Sequence, residues 1–192
     1  FNVTKDQVFT SYHHLSHICA SIYTSSFTSG AFITLDGVGE KVTGTSGLFS
    51  YDSNHALSID INDKMHFPDS IGLFYTAITQ YLGFEVNEGE FKVMGLAPYG
   101  VPCHKNLVRG LFTRIDGLRT RLNPLYFPFS TLANSSITPA FVKYIGRPPR
   151  EPETPISLRT QGITDTFSNP DVDYFYADFA ASCQSVVEEL IF

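Results

Sequence analysis

The spacing of apolar residues near the start of the chain predicts an amphipathic helix that begins near Ser11. Each residue of an α-helix turns by about 100° around the axis, so apolar side chains three and four positions apart share one face. The apolar face of this helix comprises Leu15, Ile18, Cys19 and Ile22. We expect the opposite, polar face to point away from the core.

The pattern then changes to that of short strands. Residues 31–35 are an almost wholly apolar run, which is typical of a buried strand, and we place this strand at residues 30–36. Two more short strands follow at 40–45 and 47–51, with glycines at the breaks. Strands spaced this closely predict a meander rather than a strand–helix–strand opening.

Further helices are predicted downstream. Residues 68–70 give the capping signal of a second helix, residues 71–82 keep a helical period, and Gly83 ends it. Residues 87–100 predict a shaped loop with a short helix. Residues 171–192 predict a final helix, and its buried side comprises Phe175, Phe179, Cys183, Val186, Val187 and Leu190.

A proline-rich run separates this last helix from the rest. The run at 147–155 is typical of a polyproline-like connector. We therefore divide the chain into a first unit at 1–146, a connector at 147–170 and a helix at 171–192. Because the chain starts with Phe1 and ends inside an apparent helix, we interpret it as a piece of a longer protein.

Composition and charge narrow the classes of partner. The formal net charge is -6 and no long basic run is present, which disfavours binding to nucleic acid or to an anionic membrane. No stretch reaches the roughly 18 apolar residues of a membrane span. Cys19, Cys103 and Cys183 are odd in number and widely spaced, which favours a reducing cytoplasm over a disulfide framework.

Two histidines on the polar face of the first predicted helix are candidate metal ligands. His13 and His17 are four residues apart, so their imidazoles stand one turn apart. Asp36 closes the predicted buried strand and is our candidate for a third ligand, since two imidazoles and a carboxylate suit Fe(II) or Zn. The spacing leaves a second interpretation open, in which Asp36 and Gly37 form a tight hairpin turn and the histidines line a helix surface.

The segment 87–100 is a second candidate for ligand contact. Its glycines would allow close approach of the backbone to a ligand, and Lys92 could bind a phosphate or a carboxylate. The alternative is a solvated loop in which Glu90 pairs with Lys92. The spacing is compatible with both interpretations.

Four segments, taken in order, resemble the O-carbamoyltransferases of the NodU/TobZ type. They are His-His-Leu-Ser-His at 13–17, Leu-Asp-Gly-Val-Gly-Glu at 35–40, Phe-Pro-Asp-Ser-Ile-Gly-Leu-Phe-Tyr at 67–75, and the segment 90–100. The resemblance covers most of residues 10–100 and is more diffuse from 148 to 192. Four ordered motifs are far more specific than one pair of histidines.

The resemblance implies an enzyme of two parts. In that family a YrdC-like domain makes carbamoyl adenylate from carbamoyl phosphate and ATP, and an actin-like (ASKHA, RNase H-like) α/β domain passes the carbamoyl group to a hydroxyl. The chain resembles an incomplete lobe of the second domain, for which we expect a mixed sheet flanked by helices. The parent's acceptor is expected to be small and hydroxylated, such as a sugar or a natural product.

The resemblance also implies the metal ligands, and the chemistry of carbamoyl transfer suggests roles for the residues beside them. His13, His17 and Asp36 match the family's metal ligands, an iron site in a characterised relative. Glu40 is expected to position or deprotonate the acceptor hydroxyl as the catalytic residue. Backbone N–H groups at Gly37 and Gly39 are expected to approach phosphate oxygens of the adenylate, with Lys92 as a further cofactor-binding residue.

Two other functions stay open at this point. One is a non-catalytic binding or structural fragment of the same fold. The other is a relative of the tRNA threonylcarbamoyl-transfer enzymes, which the acidic charge disfavours because their substrate is a polyanion. We expect the fragment alone to be inactive, and we expect an exposed apolar face at Phe175, Phe179, Val186 and Leu190 to favour a homo-oligomer.

Overall fold

The front of the chain folds into one helix and a three-stranded antiparallel sheet. The structure is a computed structural model and describes residues 4–131, 134–159 and 173–191. Helix α1 (His13–Tyr23) precedes strands β1 (Ser29–Gly39), β2 (Val42–Tyr51) and β3 (Leu57–His66), which lie in the order β1-β2-β3. The predicted first helix and the predicted meander are confirmed.

The details of this sheet differ from the prediction. β1 continues through Asp36 to Gly39 with a bulge after Leu35, so Asp36 lies within a strand and the hairpin turns at Glu40 and Lys41. The two predicted strands at 40–45 and 47–51 form one strand, β2, because backbone pairing on both sides continues through its glycines. β3 is absent from our prediction, although its alternation of apolar and polar residues is typical of a strand.

Helices and a small second sheet follow. They are α2 (Ile71–Tyr81), α3 (Glu90–Leu96), α4 (Lys105–Arg109), β4 (Phe112–Arg114), β5 (Arg121–Leu122), α5 (Pro139–Ile145) and α6 (Phe175–Ile191), with short 3-10 turns at Lys5–Gln7 and Ala97–Tyr99. The predicted capping of α2 is confirmed, since the Ser70 side chain accepts the Leu73 N–H and Gly83 adopts a positive φ after the last turn. The short helix predicted within 87–100 is also confirmed, as α3.

The class is α/β, as predicted, but the pairing is not mixed. Within the described part of the chain, the strands of both sheets pair antiparallel. Tight and short connections join β1 to β2 and β2 to β3, and such connections produce antiparallel neighbours, whereas parallel strands need a longer crossover. That the lobe is actin-like stays a prediction.

The final helix lies inside the main core, contrary to our expectation of an exposed face. Phe179, Val186 and Leu190 are at most 5% exposed, and Phe175 is partly buried. Their face packs on α2, α3, α4 and the Ala97–Tyr99 turn, elements of the same chain. The predicted residues 171, 172 and 192 of this helix lie outside the described residues.

The described part of the predicted connector, residues 147–159, contains no helix or strand but is packed on the end of α2. Arg150 is buried, and its backbone N–H donates to Tyr81 while its guanidinium donates to the carbonyls of Leu82 and Gly83. The same guanidinium lies over the Phe84 ring. The segment is therefore anchored at this point, and the division of the chain at 147 stays a prediction.

Among the described residues, no helix is both long enough and apolar enough to cross a bilayer.

Candidate metal centre

Helix α1 is fixed to one face of the sheet by apolar packing and by one buried histidine. Ile18 and Ile22 are buried against Phe32 of β1 and Phe49 of β2. His14 is 5% exposed. Its Nε2 lies 2.9 Å from the Val42 carbonyl and its Nδ1 lies 2.8 Å from Thr34 Oγ1, so its ring tethers the first turn of α1 to β1 and β2.

This docking places the two predicted histidines at the rim of the sheet. His13 and His17 lie on the partly exposed side of α1, with side-chain exposures of 41% and 51%. Their ring centroids are 4.6 Å apart. Both Nε2 atoms point towards the bulge of β1.

Asp36 occupies that bulge and is supported from behind by the start of α2. The Ser70 hydroxyl, which caps α2, lies 3.0 Å from the Asp36 carbonyl and 2.8 Å from the Gly37 carbonyl. A Cβ on Gly72 would come within 2.7 Å of the Asp36 carbonyl oxygen and within 2.8 Å of Gly37 N, closer than real contacts allow. The absent side chain at Gly72 therefore lets α2 support the backbone of Asp36.

The three predicted ligands converge. The donor atoms of His13, His17 and Asp36 all lie within 4.8 Å of one another. His13 Nε2 lies 3.0 Å from His17 Nε2 and directly against Asp36 Oδ2, and His17 Nε2 lies 3.7 Å from the same oxygen. Ligands held about 2.0 to 2.2 Å from one ion stand roughly 3 to 3.5 Å apart, so the triangle has the size of a metal site.

The hydrogen bonds open to His13 Nε2 also favour a cation at this position. His13 Nε2 faces two neighbours at once, the Asp36 carboxylate and the His17 nitrogen. A neutral imidazole nitrogen carries either one proton or one lone pair, so it can serve one of these neighbours well but not both. A cation between the three atoms would engage a lone pair from each.

The Asp36 carboxylate is held in its charged form. Burial alone would raise its pKa, but the Gly37 N–H and the neighbouring His13 and His17 together keep the pKa below its ordinary value. The Gly37 N–H donates to Oδ1 at 2.6 Å, which leaves Oδ2 to face the histidines. An anionic oxygen beside two imidazoles is the donor set of an Fe(II) or Zn site.

The other residues predicted near this site are placed in different ways. Glu40 and Gly39 line a cavity together with His13, and Glu40 adopts a positive φ of 61° in the hairpin turn. A Cβ on Gly39 would overlap the His13 ring, so this glycine makes room for the imidazole. Gly37 has open space where a Cβ would stand, and its N–H is bound to Asp36.

Lys92 is not brought to this cluster. It is exposed on α3, and its Nζ lies 5.9 Å from the centroid of the Phe91 ring. It lines a separate depression with Glu85, Asn87 and Glu88 among others. Glu90 does not pair with Lys92; it accepts hydrogen bonds from Thr76 and from Asn87 N–H, so the alternative ion pair is wrong.

A second group of potential ligands fits a metal less well. Cys103, His104 and Asp178 also lie within 4.8 Å of one another. Asp178, however, pairs with Arg159 and accepts the Val101 N–H at 2.7 Å. Burial and the nearby Asp178 raise the pKa of the Cys103 thiol, which disfavours the thiolate that a metal requires. We interpret this group as structural.

Three residues that position the site were not predicted as such. His14 was assigned no role from the sequence, although a histidine on the apolar side of a helix indicates a buried hydrogen bond. Ser70 was predicted as a helix cap without its second role at Asp36. Gly72 carries no signal in the sequence, because its importance depends on a backbone 36 residues earlier that packs against it.

Comparison with known proteins identifies relatives over the whole chain. The family model described as "Carbamoyltransferase N-terminus" matches residues 2–192. An uncharacterized protein of Synechocystis is 36% identical over 181 residues, which is 93% of this chain and 26% of that protein. Nodulation protein NolNO of Sinorhizobium fredii is 36% identical over 107 residues, 54% of this chain and 15% of that protein. Nodulation protein NolO of Bradyrhizobium diazoefficiens is 28% identical over 183 residues, 94% of this chain and 27% of that protein. The chain thus spans about a quarter or less of the length of these relatives.

Proposed function

This chain belongs to the carbamoyltransferase N-terminal family, and from that premise we propose that its full-length protein transfers a carbamoyl group to a hydroxyl of a small acceptor. The donor in this proposal is carbamoyl adenylate, made from carbamoyl phosphate and ATP. The ion is Fe(II) or another divalent metal such as Zn, held by His13, His17 and Asp36. The acceptor class is a sugar or a natural product.

The observation that carries the proposal is the convergence of these three side chains. Asp36 is 23 residues from His13 in sequence, yet its Oδ2 lies directly against His13 Nε2. The same three positions match the ligand set implied by the ordered motifs. A metal at this place would polarise a carbonyl or phosphate oxygen and so stabilise negative charge that develops during attack.

The remaining residues of the site have their own roles in the proposal. Glu40, in the turn beside His13, orients the acceptor hydroxyl and accepts its proton. Gly39 admits the His13 ring, and in this proposal its backbone N–H contacts a phosphate oxygen of the adenylate. Gly37 contributes indirectly, since its N–H fixes the Asp36 carboxylate.

The chain alone spans about a quarter of its relatives, and we expect it not to turn over by itself. An active site that lacks its remaining walls loses the proximity that commonly supplies about 7 kcal/mol or more of barrier lowering. We expect the activity to require the full-length protein. The acidic charge of the chain favours a small acceptor over RNA.

Carbamoyl transfer and metal content of the full-length protein test the proposal together. We would supply carbamoyl phosphate, ATP and a panel of sugars, detect carbamoylated products by mass spectrometry, and measure bound metal after dialysis. His17→Ala and Asp36→Asn are expected to abolish both bound metal and transfer. The matched control is His66→Ala, which removes an exposed histidine at the end of β3.

Two results would contradict the proposal. Full metal content in His17→Ala or Asp36→Asn would show that these side chains do not hold the ion. Unchanged transfer in both variants would show that the cluster is not part of the reaction.

A further inference from the structure

A cavity of about 430 Å³ opens beside the candidate metal centre, between the start of α1 and the sheet. Its walls are formed by Tyr12, His13, His14, Leu15, Gly39, Glu40, Val42, Thr45, Ile61 and Lys64. We propose that Lys64 binds an anionic oxygen group, a phosphate or a carboxylate, of a substrate that occupies this cavity. The inference rests on the proposed function for the substrate, and on the cavity for the binding site.

A bulge in β3 turns Lys64 towards the cavity. Side chains of a strand alternate between the two faces of a sheet, so Ile61 and Lys64, three residues apart, should point to opposite faces. The pairing shifts by one residue between them, with Asp63 opposite Ser46 and Ile61 opposite Gly47. Such a bulge redirects the side chains that follow it.

The neighbours of Lys64 confirm its direction. Ile61 packs on the α1 side with Ile18 and Ile22, and Lys64 lines the cavity on that same side. Asp63 instead lines a depression on the opposite face, with Ile33 and Leu118. Without the bulge, the acidic Asp63 would face the cavity and the basic Lys64 would face away.

The ammonium group of Lys64 is available to a ligand. In residues 4–131, 134–159 and 173–191, no carboxylate lies within ion-pair distance of its Nζ and no group accepts a hydrogen bond from it. Leu15 and Ile61 give the cavity apolar wall. Glu40 also lines the cavity but does not pair with Lys64. A cation beside apolar wall, next to the candidate site of a divalent ion, favours a ligand that carries negative charge.

Two sources could supply that charge in the proposed reaction. One is the phosphate of the adenylate donor, and the other is an acid group on the acceptor. Both present anionic oxygens, which a lysine binds as a point charge. The difference between them is measurable with separate probes.

The experiment compares the affinity of the full-length protein for AMP, inorganic phosphate, glucuronate and neutral glucose by titration calorimetry. Lys64→Met is expected to weaken binding of at least one anionic probe by about tenfold or more, as expected for loss of a charged hydrogen bond. Lys64→Arg is expected to restore most of it. The matched control is Lys41→Met, an equal change of charge at an exposed lysine of the neighbouring turn that does not line the cavity.

The pattern of losses separates the two sources. If Lys64→Met binds AMP and phosphate more weakly but binds glucuronate as the wild type does, Lys64 contacts the donor. If only glucuronate binding is weakened, Lys64 contacts an anionic acceptor. Equal affinity of wild type and Lys64→Met for every probe, an equal loss in Lys41→Met, or no binding of any anionic probe by the wild type would overturn the inference. Thermal unfolding of each variant shows that an altered affinity is not loss of fold.

The outcomes separate failure of the inference from failure of the proposed function. If Lys64→Met changes no affinity while the wild type still transfers a carbamoyl group and binds metal, the inference about Lys64 alone fails. If anion binding depends on Lys64 but no acceptor is carbamoylated, the proposed function fails and the anion site stands.

Discussion

At the scale of single residues, the geometry of the candidate metal centre depends on a glycine that is not one of the candidate ligands. Gly72 lies in the first turn of α2 with its Cα against the Asp36–Gly37 peptide. The Ser70 hydroxyl lies within hydrogen-bonding distance of the Asp36 and Gly37 carbonyls. The geometry of the Asp36 carboxylate is thus set by the backbone of α2, while the two histidines are set by the docking of α1.

We predict that Gly72→Ala destabilises the protein by about 1 to 3 kcal/mol, because the new methyl group overlaps backbone that cannot move freely. It should also weaken metal binding, since relief of the overlap displaces Asp36. Urea unfolding and metal titration measure the two effects. Gly95→Ala is the control, since a Cβ on Gly95 of α3 meets nothing within 4 Å and alanine is the better helix former. Equal effects of the two changes would contradict this account.

At the scale of elements, α2 and α6 form the centre of the larger core. Phe179 of α6 and Tyr81 of α2 are both 0% exposed, with ring centroids 5.3 Å apart. The Tyr75 hydroxyl of α2 donates to Gln184 of α6 at 2.9 Å. The last helix therefore packs directly on α2 within the main core.

We predict that Phe179→Ala lowers the free energy of unfolding by about 3 to 5 kcal/mol, the usual cost of removing a buried ring. Phe91→Ala removes a ring that is 63% exposed and should change stability by less than about 1 kcal/mol. Urea denaturation followed by circular dichroism measures both. If Phe179→Ala changes the free energy of unfolding only slightly, α6 is not packed as described, and its apolar face is exposed as expected from the sequence.

The burial of the Tyr75 hydroxyl predicts a change of stability at high pH. Burial, with smaller effects of Cys183, Glu188 and Glu90, raises the pKa of Tyr75 from 10.0 to about 12. A raised pKa in the folded state stabilises the protein below the unfolded value, and this contribution is lost as the pH rises from 10 towards 12. Tyr75→Phe should therefore lower the free energy of unfolding by about 1 kcal/mol at neutral pH, because the hydrogen bond to Gln184 is lost. Between about pH 10 and pH 12, the free energy of unfolding of this variant should fall less than that of the wild type.

Urea unfolding at a series of alkaline pH values tests this prediction. Tyr23→Phe, at a tyrosine that is 67% exposed, is the matched control and should follow the wild type at every pH. Parallel curves for the wild type and Tyr75→Phe would show that Tyr75 does not carry the alkaline sensitivity.

At the scale of the whole molecule, the candidate metal centre joins three elements that are separate in sequence. Its ligands come from α1 and from β1, and β1 is in turn supported by α2. A ligand that binds the folded state and not the unfolded chain stabilises folding in proportion to its affinity.

We predict that Fe(II) or Zn at about one hundred times its Kd raises the free energy of unfolding by about 2.7 kcal/mol. A chelator should reverse the effect. His17→Ala should abolish this gain, whereas His66→Ala should keep it. Anaerobic urea unfolding with and without metal gives the measurement, and an equal gain in His17→Ala would place the ion elsewhere.

The sequence alone determined the elements whose signals are local. α1 and α2 follow from a period of apolar residues over about three turns, and α2 also from the cap at Ser70. The pair His13 and His17 follows from helix geometry, because residues four apart share a face in any helix. Asp36 was found by its position at the end of a buried run, and its approach to the histidines was predicted.

Only the tertiary structure decided what depends on register and on contact between distant segments. The bulge that holds Asp36 within β1 shifts the pairing with β2 by two residues. The bulge that turns Lys64 towards the cavity shifts the pairing by one residue, and a shift of one residue exchanges the faces of a strand without changing its composition. The sequence predicts the buried side of α6, and the structure confirms it, but what covers that side is not predicted, for a related reason. A helix pattern shows which side is apolar, but the elements that cover that side come from elsewhere in the chain, and here they are α2, α3 and α4.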